Sequence, residues 1–335
     1  MSRAGAPLLG TTGQRALGVV AGLLLDRALG EPPDRWHPVA WFGTAMGRVE
    51  KVVYRDSRAA GAIHAGLGAG LGAAAGVALV AGAGAVLAPA GREVLRGALP
   101  VALAVAVASA GRMLRRTSRT IEEHLLQDDL AAARATLPSL VGRDPSGLDG
   151  SGVAAAVVES LAENTVDAVV APAFWGLVAG APGVLVHRAV NTMDAMVGHR
   201  SARYARFGTA AARLDDAMAW LPARLFAALV GVLAPGRAGD LVRLVRRDAP
   251  AHPSPNSGVA EAAVAAALAV ELGGPLRYGD QVEDRPRLGD GPRPGAGDIT
   301  RARQLVDRAE LTVVALCLAA WWAGRAAPHT RRRDA

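Results

Sequence analysis

Between residues 153 and 224, otherwise apolar sequence is interrupted by Glu159, Glu163, Asn164, Asp167, Asn191, Asp194, Arg213, Asp215, Asp216 and Arg224. Read as a helix, Glu159, Glu163 and Asp167 follow one another at i, i+4 and i+8. They span roughly 80° of arc, and Ser160 and Asn164 widen the wedge to about 140°. The rest of that helix is greasy: Val153, Ala154, Val157, Val158, Leu161, Val166, Val169 and Val170. Carboxylates stacked on one face repel unless they meet arginine, protons or a metal. A solvated amphipathic face has the same pattern, but the apolar surroundings favour a polar site. Asn191 and Asp194 share a face at i, i+3, and Arg213 shares one with Asp216 and Trp220. Asp194, Asp215 and Asp216 are hard oxygen ligands suited to Mg²⁺, and Arg213 and Arg224 suit two-pronged contact with phosphate. For each of these groups a structural salt-bridge network remains the alternative.

Three shorter stretches add candidates. In Asp26–Val39 the prolines Pro32, Pro33 and Pro38 stiffen an extended loop around His37, which suits phosphate binding, proton transfer or an interfacial Trp36–His37 anchor. Val141-Gly142-Arg143-Asp144 could hold an anion with backbone N–H groups and the Arg143 guanidinium, or form an ordinary turn. Ser254-Pro255-Asn256-Ser257-Gly258 precedes an alanine-rich helix over 259–271. Ser254 and Asn256 can cap that helix and present N–H groups to an anion.

The elements that must position these groups read as helices in a membrane. Hydrophobic residues make up 51% of the 335 and charged residues 20%, with the apolar ones clustered. Apolar segments fall near 16–25, 60–91, 97–110, 173–186, 225–235 and 311–324. Residues 60–91 carry no charge, and as one helix would measure about 48 Å against a hydrocarbon core of about 30 Å. Gly66, Gly68, Gly70, Gly72 and Gly76 offer small surfaces for close packing in lipid. The acid-bearing helix is expected to stop at Pro172, and 173–186 to break at Pro182 and Gly183. Neither is a clean span, so this unit re-enters the bilayer or lies in its interface, where charges must line protein or water. Residues 276–304 read as a mobile Pro/Gly/Arg/Asp-rich loop. The expectation is one all-α, polytopic integral membrane domain over 1–335, with re-entrant or interfacial helices and soluble-side loops.

Composition also excludes. Lys51 is the single lysine, and no Gly-rich loop ends in Gly-Lys-Ser/Thr, so a Walker-type ATP site is absent. The net charge of +7 comes without basic runs interleaved with aromatics, which fits a membrane surface and not nucleic acid. Arg112, Arg115, Arg116 and Arg119 mark a cytoplasmic flank by the positive-inside rule. Cys317 stands alone, so no internal disulfide or cysteine-rich metal site exists.

Taken in order, DRALGEPPDRWHPV (26–39), VGRD (141–144), VESLAENTVDAVVAP (158–172), AVNTMDAMVGHR (189–200), FGTAAARLDDAMAWLPARL (207–225), HPSPNSG (252–258) and LGGPLRYGD (272–280) closely resemble one family. It is the cobalamin-biosynthesis membrane proteins CobD and CbiB, the adenosylcobinamide-phosphate synthases, and the resemblance covers about residues 15–325. Two departures stand out: Glu31 in place of a Gly-Asp-Pro pattern, and Ala219 where an Asn is common.

The resemblance implies a multi-pass enzyme of the cell (cytoplasmic) membrane with a cytoplasmic active face. Such an enzyme joins adenosylcobyric acid to (R)-1-amino-2-propanol O-phosphate, or ethanolamine phosphate, by ATP-driven amide formation. It also implies ATP and Mg²⁺ as cofactors and membrane lipid as surroundings. A homo-oligomer or a cobalamin-pathway partner protein is compatible with it. On that reading Asp194, Asp215 and Asp216 hold Mg²⁺–nucleotide, with Arg213 and Arg224 on phosphates. Glu159, Glu163, Asn164 and Asp167 position the amine and take its proton, while Arg143 and His37 contact the amino-alcohol phosphate. Two rival classes fit the same residues: a Mg²⁺-dependent membrane transferase acting on a lipid phosphate, and a non-catalytic transport or regulatory relative.

Overall fold

The computed structural model describes residues 11–87, 92–142, 144–199, 201–274, 276–278, 281–283 and 285–326. Among the described residues the chain is all-α apart from four strands of two or three residues each. Among the described residues, four helical stretches are long and apolar enough to cross a membrane: Arg58–Val86, Glu93–Leu126, Gly150–Val197 and Thr209–Leu233. Segments 60–91, 97–110, 173–186 and 225–235 overlap these four, whereas 16–25 and 311–324 lie in other helices. By contact the chain divides into two compact units.

The first unit comprises the chain up to Ser109, Ala171–Asp215 and the chain from Thr312. It contains α1 (Thr12–Leu29), α2 (Pro38–Val53), α3 (Arg58–Val86), α4 (Glu93–Ala108) and, further along the chain, α8 (Ala171–Val197), the three intervening helices belonging to the second unit. Helix α1 starts on a capping box, with Thr11 accepting from the Gln14 N–H and Gln14 answering on the Thr11 N–H. Helix α3 packs closely on α8 because glycine leaves room: a Cβ at Gly72 would lie 2.6 Å from the Leu185 carbonyl oxygen. At Gly76 it would lie 2.3 Å from the Pro182 Cα, whereas Gly66 and Gly70 face nothing within 4 Å. Only part of the expected small-residue stripe therefore makes the joint.

Helix α8 breaks where Gly180 takes φ 64° and ψ −156°, just before the expected Pro182–Gly183. Pro182 has no N–H to offer the Val178 carbonyl, and Arg15 supplies the missing donor, Nη1 to Val178 O at 2.6 Å.

The second unit comprises Ala110–Val170 and Asp216–Leu311. It holds α5 (Gly111–Leu126), α6 (Leu130–Thr136), α7 (Gly150–Thr165), α10 (Ala238–Arg247) and α11 (Ser257–Leu268). Two helices contribute residues to both units: α9 (Thr209–Leu233) and α12 (Ala296–Ala326). Asp149 caps α7 by accepting from the Gly152 N–H at 2.7 Å. Helices α7 and α11 are buried almost all round in an Ala/Val core with Leu137, Phe226 and Ile299. Helices α5 and α12 are joined by two ion pairs seven residues apart on each helix, Arg115–Glu310 and Arg303–Glu122.

Two expectations are corrected here. The acid-bearing helix does not stop at Pro172: α7 runs through a π-helical turn, Val166–Val170, into α8. Pro172 sits in the first turn of α8, immediately after the widened turn, where its missing N–H is tolerated. The second correction concerns 276–304. Short strands β1 (Leu272–Gly273) and β4 (Arg287–Leu288) pair, as do β2 (Leu276–Tyr278) and β3 (Gln281–Glu283). Helix α12 already begins at Ala296, so the loop does not extend to 304. Asp298 accepts from the Gly295 N–H, and Ile299, Ala302, Val306 and Ala309 are buried at helical spacing.

Candidate functional site

In the second unit, α7 presents the carboxylates Glu159 and Glu163 in different surroundings. Glu159 is 4% exposed and accepts from the Gly273 N–H at 2.7 Å. It thereby ties β1 to α7. Glu163 is exposed, and the Ser257 hydroxyl donates to its Oε1 at 2.7 Å. Asn164 donates to the carbonyl and hydroxyl oxygens of Ser160, whose own hydroxyl donates to Leu140 O. These two polar side chains therefore brace α7 against the turn at 137–141. Asp167 lies in the π turn and is half-buried. The widened turn breaks the 100° step, so Asp167 does not continue the Glu159–Glu163 row as an α-helix would.

The turn 252–257 supplies the partners. Ser254 Oγ accepts from the N–H groups of Asn256 and Ser257, the ordinary work of a turn-forming serine. Asn256 leaves α11 without a side-chain cap. Its amide instead accepts from Arg224 Nη1 at 2.8 Å and donates to the Asp216 carbonyl at 2.8 Å. Arg224 also donates to Pro255 O and Trp220 O, and its guanidinium lies 4.4 Å from the Trp220 ring centre. Every described partner of Arg224 is neutral.

His252 and Glu261, absent from the sequence-derived site, are buried here at 8% and 2% exposure. Nδ1 of His252 lies 3.1 Å from both the nitrogen and the carbonyl oxygen of Ser254, and Nε2 lies 3.7 Å from Glu261. Burial pushes the His252 pKa below its usual value against the pull of Glu163 and Glu159, so the ring is neutral near pH 7. Ser257 and His252 flank the two residues that sequence singled out in this turn. Nothing in their spacing distinguished them from ordinary turn formers.

In the first unit, His37 is the N-cap of α2. Its Nδ1 accepts from the Val39 N–H at 3.2 Å, and Nε2 lies 3.8 Å from Glu31. Asn191 accepts from Arg188 at 3.3 Å. Asp194 and Asp215 are half-buried, and Asp194 folds so tightly over Gly198 that a Cβ there would overlap its carboxylate. Arg213 is exposed on α9. Arg143 lies outside the described residues. Asp216 belongs to the second unit and is half-buried. Among the described residues no group of three or more His, Cys, Asp or Glu side chains could hold a metal ion.

Helices able to span a bilayer, with carboxylates and guanidinium groups set into apolar sequence, define a polytopic helical membrane protein with a polar site. The model of the CobD/Cbib protein family matches residues 19–306, and the chain belongs to that family of cobalamin biosynthesis proteins. It is 48% identical over 294 residues to the cobalamin biosynthesis protein CobD of Mycobacterium tuberculosis, covering 86% of this chain and 90% of the relative. The protein of the same name from Chromobacterium violaceum is 44% identical over 305 residues, covering 91% and 96%. That from Rhodobacter capsulatus is 40% identical over 315 residues, covering 91% and 97%. No solved structure matches the chain.

Proposed function

We propose that the protein is an adenosylcobinamide-phosphate synthase of the cell membrane, with its active face in the cytoplasm. It joins a propionate carboxyl of adenosylcobyric acid to the amine of (R)-1-amino-2-propanol O-phosphate or ethanolamine phosphate. The observation that carries this reading is the pair Glu163 and Arg224 in a chain of this family. One is an exposed carboxylate held by a hydroxyl, and the other a guanidinium whose described partners are all neutral.

A carboxylate is a poor acyl donor, and ATP with Mg²⁺ would supply the phosphoryl group that activates it. The described residues do not fit a resident ion held by protein alone. Mg²⁺ carried on nucleotide phosphates needs only one or two carboxylates, and Asp194, Asp215 and Asp216 are the candidates. Arg213 and Arg224 neutralise phosphate oxygens.

The chain's part in the amide step is proton handling. The ammonium gives one proton to Glu163, and its freed lone pair attacks the activated carboxyl carbon. The bond from that carbon to the phosphate oxygen breaks, and the second proton leaves with the phosphate. Glu159, fixed by Gly273, holds β1 beside α7. Asn164 and Asp167 line the approach.

Purified membranes containing the chain should convert adenosylcobyric acid to its amide only when ATP, Mg²⁺ and the amino-alcohol phosphate are all supplied. Turnover of a labelled lipid phosphate without corrinoid, and no amide, would overturn the proposal.

A further inference from the structure

The corner where α2 meets α3, in the first unit, carries positive charge that the fold does not use. Arg48 and Lys51 stand on α2, Arg55 in the link, and Arg58 at the first residue of α3, and all four are exposed. Among the described residues none has a carboxylate partner. Arg55 donates to the neighbouring Tyr54 carbonyl, and both acids of the corner are engaged elsewhere. Glu50 accepts from Arg203 at 3.0 Å and from the Tyr204 hydroxyl at 2.9 Å, and Asp56 lies 3.8 Å from Arg206. Lys51 suits the C-terminal turn of α2, but Arg55 and Arg58 sit at the N-terminal end of α3, where the helix dipole disfavours a cation. Their charge answers to something outside the helix.

The neighbouring side chains are those of a membrane interface. Helix α3 is long and apolar enough to cross a bilayer. On α2, Met46 and Glu50 are buried, whereas Trp41, Arg48, Lys51 and Val52 follow one another at helical spacing along the exposed side. An indole and an aliphatic side chain beside two long cations suit a helix lying in the headgroup layer. We propose that this corner is a docking surface for the anionic headgroups of phospholipids. Arg48, Lys51, Arg55 and Arg58 hold their phosphate diesters, while Trp41 and Val52 enter the headgroup layer. Basic residues at the start of a span draw anionic lipid. Strung along a helix face and its link, these cations match a charged surface and not a single soluble phosphate. The turn at 201–208 braces the corner: the Tyr54 hydroxyl donates to Arg203 O at 3.0 Å, and the Arg203 guanidinium lies 4.1 Å from the Tyr54 ring centre. This surface lies outside the synthase reading and does not depend on it.

The test is photo-cross-linking of the full-length protein in phosphatidylcholine bilayers that contain phosphatidylglycerol. Trace probes of either lipid carry the same photoreactive group near the headgroup, and cross-links are located by mass spectrometry. Over residues 41–58 the phosphatidylglycerol probe should cross-link about threefold or more above the phosphatidylcholine probe at low salt, and high salt should shrink the difference. The fourfold variant Arg48→Gln, Lys51→Gln, Arg55→Gln and Arg58→Gln should bring the two probes to parity there and leave cross-links elsewhere unchanged. Its thermal unfolding should stay that of the wild type, since these side chains hold no partner in the fold. The single changes Lys51→Gln and Arg58→Gln should each remove part of the preference. Arg48→Lys with Arg55→Lys and Arg58→Lys should keep most of it, because a charged surface asks for charge and not for the guanidinium fork.

Equal cross-linking of the two probes over 41–58 in the wild type overturns the inference, as does a fourfold or single Gln variant that keeps the full preference. Competition by added glycerol 3-phosphate, with phosphatidylglycerol still in the bilayer, marks a site for a soluble phosphate and overturns the lipid assignment.

Discussion

The two units of the chain hold their helices together in different ways. In the first, close joints are made by backbone: Gly72 and Gly76 let α3 meet the backbone of α8, and Arg15 repairs the carbonyl that Pro182 leaves bare. In the second, α5 and α12 are registered by the charge pairs Arg115–Glu310 and Arg303–Glu122. Glycine joints need no desolvated charge and suit helices facing lipid. Buried ion pairs gain little net stability, but losing one partner is costly, because the other charge is left without compensation. Arg224, whose described partners are all neutral, stands out against the ion-paired joint of α5 and α12.

The largest effect should come from unmatching one of those pairs. Glu122 is 6% exposed and is held by both Arg303 and Thr300. Arg303→Ala should destabilise the protein by about 3–5 kcal/mol, read as a fall in thermal unfolding temperature in detergent. The double change Arg303→Glu with Glu122→Arg should recover part of it. A loss below about 1 kcal/mol in the single variant would mean that charge does not hold this joint.

Gly76→Leu should be next, since the new side chain meets the Pro182 backbone. Overpacking of this kind costs about 1–3 kcal/mol or more. Gly66→Leu, facing open space, should change stability by less than about 0.5 kcal/mol. Equal effects at the two positions would deny that α3 packs through one stripe of small residues.

Smaller still is a pH effect confined to the second unit. Asp290 is held below the usual carboxylate range by hydrogen bonds from Arg247 and Arg243. Burial pushes Asp248 up, but its pairing with Arg247 and the Gly289 N–H outweigh burial and hold it low as well. Groups with depressed pKa stabilise the fold above their unfolded pKa, about 3.9, and that contribution is lost as pH falls through the folded value. Hydrogen-exchange protection over 285–291, taken relative to the intrinsic rate at each pH, should therefore fall below about pH 4 and stay flat from pH 5 to 8. The glycine joint of the first unit should show no such dependence.

Much of this could be read in advance from residue types. The apolar segments, the carboxylates on α7 and the ordered motifs pointed to helices and to the family. Spacing could not show that Pro172 would follow a π turn, because α-helical geometry was assumed across 166–170. Nor could it separate Glu159 from Glu163. Both sit on one face at i, i+4, yet one is consumed by the backbone of β1 and the other is left accessible by the turn at 257. That difference depends on contacts from residues 94 and 114 positions away. His37 shows the converse. Its placement beside Pro38 suggested phosphate chemistry, and its ring is engaged as a helix cap.

The most direct test of the account is the rate of amide formation by the Glu163→Gln protein under saturating ATP and amine donor. With thermal unfolding unchanged, the account predicts a fall of about 10²-fold or more, the usual contribution of a positioned general base. A Glu163→Gln protein that forms the amide at the wild-type rate would contradict it.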